Sequence, residues 1–289
     1  MTSVSEERGP QGPLAVRWGP LALGGQRAGA ITEARVTLSN AGLVTWRSNG
    51  PTWIYLSYHW LDDRGNPIVW DGLRAPLGRP VAPGETIEVN LPVRAPIPPG
   101  RYRLAFDLLD AERLWFSELG NPMLEVDAPV EPRIAERRLS VMIRPGAPEL
   151  VSATEAALTR QEDVVATGGE ATAFLAAGCL PAPDWSARVL DAHTEGYVVV
   201  AGSIEAVGRS LVRRRSAGSL APWAPGGGRN PAFSHPLLCP SVLASFEPAW
   251  VDDVEGLPAL APPDDEPWLY DGRIALRTRA RPLSGRRRV

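Results

Sequence analysis

Three tryptophans in the first half of the chain, Trp60, Trp70 and Trp115, stand within a few positions of Asp62, Asp71, Arg74 and Glu118. Flat aromatic rings stack on the apolar C–H faces of sugars, while neighbouring polar groups take the hydroxyls. Trp60, Trp70, Asp71, Arg74 and Trp115 are therefore a candidate carbohydrate-binding set. The same rings serve equally well to fill a β-sandwich core, and the strand faces decide between the two. A second set lies in the last third. No acid falls between Glu205 and Glu247, and Arg209, Arg213, Arg214, Arg215 and Arg229 lie there, the last directly after a run of three glycines. Guanidinium forks match phosphate oxygens, which makes Arg213, Arg214 and Arg229 candidate phosphate ligands. Acids take over from 247 to 266, and Asp264 and Asp265 are the candidate catalytic carboxylates. Ordinary solvated loops would also give such blocks of charge.

Several chemistries are excluded by residues the chain lacks. All 30 basic residues are arginine, so no lysine can form a Schiff base or complete a phosphate-binding GxxxxGK[ST] loop. No GxSxG nucleophile elbow and no GxGxxG fingerprint occur. Cys179 and Cys239 are too few for a disulfide framework or a structural zinc site, and His59, His193 and His235 are far apart, so no metal site is expected. Cys239 follows His235 by four residues, the spacing of a possible nucleophile and base, although a small buried thiol is the simpler reading. A net charge of −3 argues against general nucleic-acid binding. No apolar run is long enough for a membrane span. The polar start, MTSVSEERGPQGP, lacks the apolar region of a signal peptide. The expectation is a cytoplasmic protein.

The elements that must position these residues change character along the chain. Gly (28) and Pro (30) make about a fifth of the sequence, which favours turn-rich β structure. Residues 1–12 read as a disordered tail. Residues 13–127 carry about seven short β signals punctuated by Gly, Pro and Asn, the mark of an antiparallel β-sandwich. ETIEVNLPV (85–93) alternates Ile87, Val89, Leu91 and Val93 against polar positions. RYRLAFDLL (101–109) sets Tyr102, Leu104, Phe106 and Leu108 against Arg101, Arg103 and Asp107. Tyr102 suits a tyrosine corner. Residues 128–136 read as a linker. From 137 to 280 the pattern becomes strand (138–144), helix (150–161), strand (171–180), helix (182–193) and strand (197–204), which implies a small α/β domain. Regularity fades beyond 205, and residues 281–289 read as a basic disordered tail.

The segments YHWLDDRGNPIVWDGLRAPL (58–77), VAPGETIEVNLPVRAP (81–96), PPGRYRLAFDLLD (98–110) and LWFSELG (114–120) resemble the Ig-like β-sandwich domains of bacterial polysaccharide-handling proteins. That likeness implies binding of carbohydrate or of a glycan-assembly protein. RLSVMIR (138–144), the helix ending ALTRQED (157–163), FLAAGCLPAPDW (174–185), ARVLDAH (187–193) and YVVVAGSIE (197–205) resemble family 2 glycosyltransferases of the GT-A type. In that family the strand before the PxPxW stretch carries an Asp-x-Asp whose carboxylate binds the divalent cation of the nucleotide-sugar diphosphate. Here Ala176, Ala177 and Gly178 fall on those positions and offer no metal ligand. Only about ten residues, VVATGGEATA (164–173), replace the family's long nucleotide-binding stretch. The resemblance therefore implies a shortened, degenerate and inactive domain with no cofactor. The alternative from the same residues is a metal-independent transferase in which Asp264 or Asp265 is the acceptor base and the arginines hold a nucleotide-sugar. A third reading is a structural protein that contacts a partner through sheet edges and an Arg-rich tail.

Overall fold

The computed structural model describes residues 12–49, 53–111, 114–206, 237–246, 249–254, 257–261 and 265–278. It is mostly β, and it divides into two compact units between Pro132 and Arg133.

The first unit contains β1 (Val16–Leu23), β2 (Gln26–Arg27), β3 (Ile31–Asn40), β4 (Ile54–Leu61), β5 (Pro67–Val69), β6 (Ala75–Pro76), β7 (Thr86–Arg94), β8 (Arg103–Asp110), β9 (Leu114–Trp115), β10 (Leu124–Asp127) and β11 (Val130–Glu131). Two antiparallel sheets share one core. One runs β1-β3-β7. The other runs β10-β8-β4-β5, with β6 also on β4 and β9 on β8. Side chains alternate across a strand, and β7 follows the expected alternation, with Ile87, Val89, Leu91 and Val93 buried. They meet Ala34, Val36 and Leu38 of β3 and, from the facing sheet, Ile54, Leu56, Tyr58 and Trp60 of β4 with Leu104, Phe106 and Leu108 of β8. The Tyr102 hydroxyl donates to the Pro98 carbonyl at 2.8 Å, the bond of a tyrosine corner.

Asp107 alternates with the core residues of β8, as the sequence pattern has it, yet it is fully buried, and Ala105 and Leu109 on the same face are buried too. On β4, Ser57 and His59 are likewise buried. The outer face of the β4–β8 pair is therefore covered. The stretch 128–136 is also ordered: β11 pairs in parallel with β2, and the backbone N–H groups of Ala135 and Arg137 donate to the Glu170 carboxylate, each at 3.0 Å.

The second unit adds β12 (Leu139–Ile143), α1 (Pro148–Leu158), β13 (Val164–Val165), β14 (Ala171–Leu175), β15 (Cys179–Pro181), α2 (Trp185–Glu195), β16 (Val199–Ala206), β17 (Leu237–Leu238), β18 (Ser241–Leu243), β19 (Ala249–Val254), β20 (Leu257–Ala261) and β21 (Trp268–Thr278). A seven-stranded mixed sheet runs β13-β12-β14-β18-β16-β21-β15, and β17-β20-β19 form a smaller one. The expected strand at 171–180 is two strands, β14 and β15, divided by the turn Ala176–Gly178, where Gly178 takes φ +88°. Regularity does not end at 205. β18, with Val242 and Leu243 buried, lies between β14 and β16 and pairs antiparallel with both, and β21 pairs in parallel with β16. These strands are short or interrupted by Asp271-Gly272, so their periodicity is weak in the sequence. β16 and β21 approach each other where the register shifts between Gly202 and Ser203.

His193 of α2 is buried in this unit. Its Nδ1 donates to the Tyr197 carbonyl at 2.8 Å, and its Nε2 accepts from the Ser241 hydroxyl at 2.9 Å, roles fixed because a carbonyl can only accept. Desolvation pushes its pKa down from the ordinary 6.5 to about 4.

Two stability predictions follow from these contacts. A base neutral in the fold and cationic when unfolded stabilises the fold fully above its unfolded pKa. That stability is lost as pH falls from 6.5 towards about 4. Acidification from pH 7 to 4 should destabilise the second unit by about 3 kcal/mol through this residue alone. His193→Gln should remove that component of the pH dependence in urea unfolding. A Cβ on Gly202 would sit 1.8 Å from the Ile274 carbonyl oxygen, whereas one on Gly24 meets nothing within 4 Å. Gly202→Ala should therefore cost about 3 kcal/mol in the same assay, and Gly24→Ala no more than about 0.5 kcal/mol.

Candidate functional site

The segment from Pro67 to Pro76 lies as a strap over the outer face of β4 and β8. Its ends are sheet ladders: Trp60 pairs with Val69 of β5, and Leu56 with Ala75 of β6. Its middle is held by polar groups. The Gly72 N–H donates to the Tyr58 carbonyl at 3.0 Å, and the Ser57 hydroxyl donates towards the carbonyls of Gly72 and Leu73. Glycine is required at 72, since a Cβ there would come within 2.5 Å of the buried Tyr58 ring.

Trp70 is at the centre of the strap. Its indole is 45% exposed, and its inner face stacks on the buried His59 imidazole with centroids 4.0 Å apart and planes 20° from parallel. Trp115 meets His59 edge-on at 4.5 Å and Trp70 at 6.3 Å. His59 Nδ1 donates to the Trp70 carbonyl, so one side chain grips both the ring and the backbone of the same residue. Its Nε2 lies 3.8 Å from Asp107 Oδ2. Asp107 accepts from the Leu108 N–H at 2.8 Å and from the Ser117 N–H at 3.2 Å, which ties the 3-10 turn Phe116–Leu119 to β8. Further along the strap, Arg74 and Asp71 form an exposed two-pronged ion pair, with Nη2 2.6 Å from Oδ2 and Nε 3.3 Å from Oδ1. Such a pair adds little stability but fixes a donor and an acceptor on the same strap as the indole.

Of the candidate sugar-binding residues, the strap thus brings together Trp70, Asp71 and Arg74. Trp60 belongs to the core instead: it is fully buried, its Nε1 donates to the Arg94 carbonyl at 2.9 Å, and it meets Tyr102 edge-on. Trp115 is 7% exposed and acts as a wall behind Trp70 rather than as a surface. The sequence reading missed His59 and Asp107. The signal available was their placement on the face of β4 and β8 opposite the apolar series, where two ionisable groups and Ser57 would converge if covered. Ser57, His59 and Asp107 share this face, but the Ser57 hydroxyl is committed to the strap carbonyls and His59 Nδ1 to Trp70, so no relay of nucleophile, base and acid is assembled.

In the second unit, the turn Ala176–Gly178 packs on α1. The Gly178 N–H lies 3.1 Å from the Leu150 carbonyl and 2.9 Å from Thr154 Oγ1. Asp265 is described and exposed, whereas Asp264 and the arginines 213, 214 and 229 lie outside the described residues, as does His235. Among the described residues, no three His, Cys, Asp or Glu side chains are placed to hold a metal ion, and no helix is long and apolar enough to cross a membrane.

No family model and no curated protein matches the chain. Solved structures with partial similarity include the Pseudomonas fluorescens alkylpurine DNA glycosylase AlkC bound to DNA containing an abasic site analog. It is 9% identical over 41% of this chain and 30% of that chain, with a TM-score of 0.26. The match thus spans less than a third of the glycosylase. The CARDB domain of a Pyrococcus furiosus protein in complex with di-metal ions is 14% identical over 45% of this chain and 99% of its own, with a TM-score of 0.24. A PapD-like domain of human CEP192 is 11% identical over 45% and 90%, with a TM-score of 0.21. Overlaps of this extent assign neither family nor activity.

The strap geometry gives a direct expectation. His59→Ala removes the stacking partner and the carbonyl donor together, and should accelerate tryptic cleavage after Arg74 about tenfold or more, the factor set by some 1.4 kcal/mol of lost local stability. Peptide mass spectrometry of timed digests checks this.

Proposed function

We propose that the chain is a non-catalytic carbohydrate-recognition protein of glycan assembly, whose first unit is an Ig-like sandwich presenting Trp70, Asp71 and Arg74 to a sugar. The observation that carries the reading is the half-exposed Trp70, stacked on His59, on a strap that also holds the exposed Asp71–Arg74 pair. A ring already held in place loses little side-chain entropy on binding. Its free face suits the C–H face of a pyranose, and the strap's carboxylate and guanidinium suit hydroxyls.

In this reading the second unit is a shortened GT-A-like scaffold. The placing of α1 directly after β12 and of α2 directly after β15, with the parallel pairing of β12 and β14, supports it. Ala176, Ala177 and Gly178 in place of the metal-binding acids support the loss of activity. The enzyme alternative rests on Asp264, Asp265, Arg213, Arg214 and Arg229, and no geometric observation favours it.

Binding to an array of bacterial surface glycans tests the proposal. The wild-type chain should bind a defined glycan, Trp70→Ala should weaken it at least about tenfold, the loss of roughly 1.4 kcal/mol of stacking, and Trp53→Ala, exposed elsewhere in the first unit, should not. Equal binding by Trp70→Ala would refute it. Calorimetric titration with uridine diphosphate and manganese should be flat, and a saturable isotherm would favour the transferase.

A further inference from the structure

Two thiols separated by sixty residues of chain meet inside the second unit. Cys179 opens β15 directly after the turn Ala176–Gly178, and Cys239 lies between β17 and β18. Their Sγ atoms are 4.0 Å apart, and the residues are 2% and 4% exposed. Each is held in place by its backbone. The Cys179 N–H donates to the Ala176 carbonyl at 3.1 Å, and Cys179 pairs with Thr278 of β21. On the other side, the Phe174 N–H donates to the carbonyl of Pro240, the residue after Cys239.

Cys239 is also conformationally unusual. Its φ of +50° lies in the left-handed region, which costs a non-glycine residue roughly 1 kcal/mol or more. Glycine would relieve that cost, yet a cysteine occupies the position with its sulfur turned towards the only other cysteine in the chain.

The geometry points to a modification site: Cys179 and Cys239 are a dithiol that peroxide oxidises to an intramolecular disulfide. A disulfide needs sulfurs about 2.05 Å apart, so closure draws them together by about 2 Å. The hydrogen bond from Cys239 holds the Cys179 thiol below its usual range, whereas that contact and burial push Cys239 well up. Either sulfur can attack first, with the same product; Cys179 takes that part here. Its thiolate bonds to one oxygen of hydrogen peroxide, the O–O bond breaks, and the departing hydroxide takes up the Cys179 proton as water. The Cys239 sulfur then attacks the Cys179 sulfenic acid, the S–O bond breaks, and hydroxide leaves with the Cys239 proton as a second water. Two thiols have lost two electrons and two protons, and the peroxide has become two waters. The product ties β15 to the turn before β18 and closes a covalent ring over residues 179–239.

The full-length chain, reduced, desalted and treated with a few equivalents of hydrogen peroxide, tests this. The expected result is an intact mass lower by about 2 Da, a peptide pair joining Cys179 to Cys239, and the loss of both titratable thiols after denaturation. The melting temperature should rise by roughly 5–10 °C and fall back with dithiothreitol, because the cross-link constrains the unfolded chain. Cys239→Gly, compatible with the left-handed backbone, should fold and show no 2 Da loss. Two thiols still titrating after peroxide, a mass gain of about 16 or 32 Da without a linked peptide, or a covalent dimer on a non-reducing gel would each overturn the assignment.

Discussion

Strands β4 and β8 pair along their length and have no wet face. Their inner side packs against β3 and β7, and their outer side is covered by the strap and by the 3-10 turn. Burying a polar group without a partner costs roughly 1–3 kcal/mol, so Ser57, His59 and Asp107 on the covered face dictate what lies above them. Each answers with a bond to backbone: Ser57 and His59 to the strap, Asp107 to the turn. The buried polar groups thus anchor the covering segments, and the position of Trp70 follows from that anchoring.

This explains what was legible in the sequence and what was not. The alternation of β7 reports one buried face and one wet one, and it is met residue by residue. β8 has the same alternation, but Asp107 is a side chain whose environment is set by residues far away in sequence, at 67–76 and 114–119. Local periodicity cannot distinguish a wet polar face from a covered one. Trp60 and Trp70 illustrate the same limit. Both sit beside acids, yet Trp60 is on a core-facing register position and Trp70 on a crossing segment. Contacts distant in sequence separate them: Trp60 bonds to Arg94 and meets Tyr102, whereas Trp70 stacks on His59.

In the second unit α1, α2, β12, β14 and β16 were legible, but the small α/β domain they implied is not what forms: the described residues make a mostly β unit, a mixed sheet with two helices. The strands after 236 were not legible. β18 has three residues, and it is central in the sheet rather than at its edge. Its burial comes from neighbours far earlier in the sequence, β14 (Ala171–Leu175) and β16 (Val199–Ala206). The paired thiols were hidden for the same reason: two cysteines sixty residues apart carry no local signature, and the turns on either side bring them together.

The strap has a consequence for the sheet margin it occupies. β5 has three residues and β6 two, each carries a proline that lacks an N–H, and between them the chain leaves the plane of the ladder. An open margin of β4 would present a row of unpaired donors and acceptors to any extended polypeptide. By ending that row in short, interrupted pieces, the segment that displays the indole also denies a foreign strand a template, so the two-sheet unit can expose an aromatic ring there without inviting edge-to-edge polymerisation.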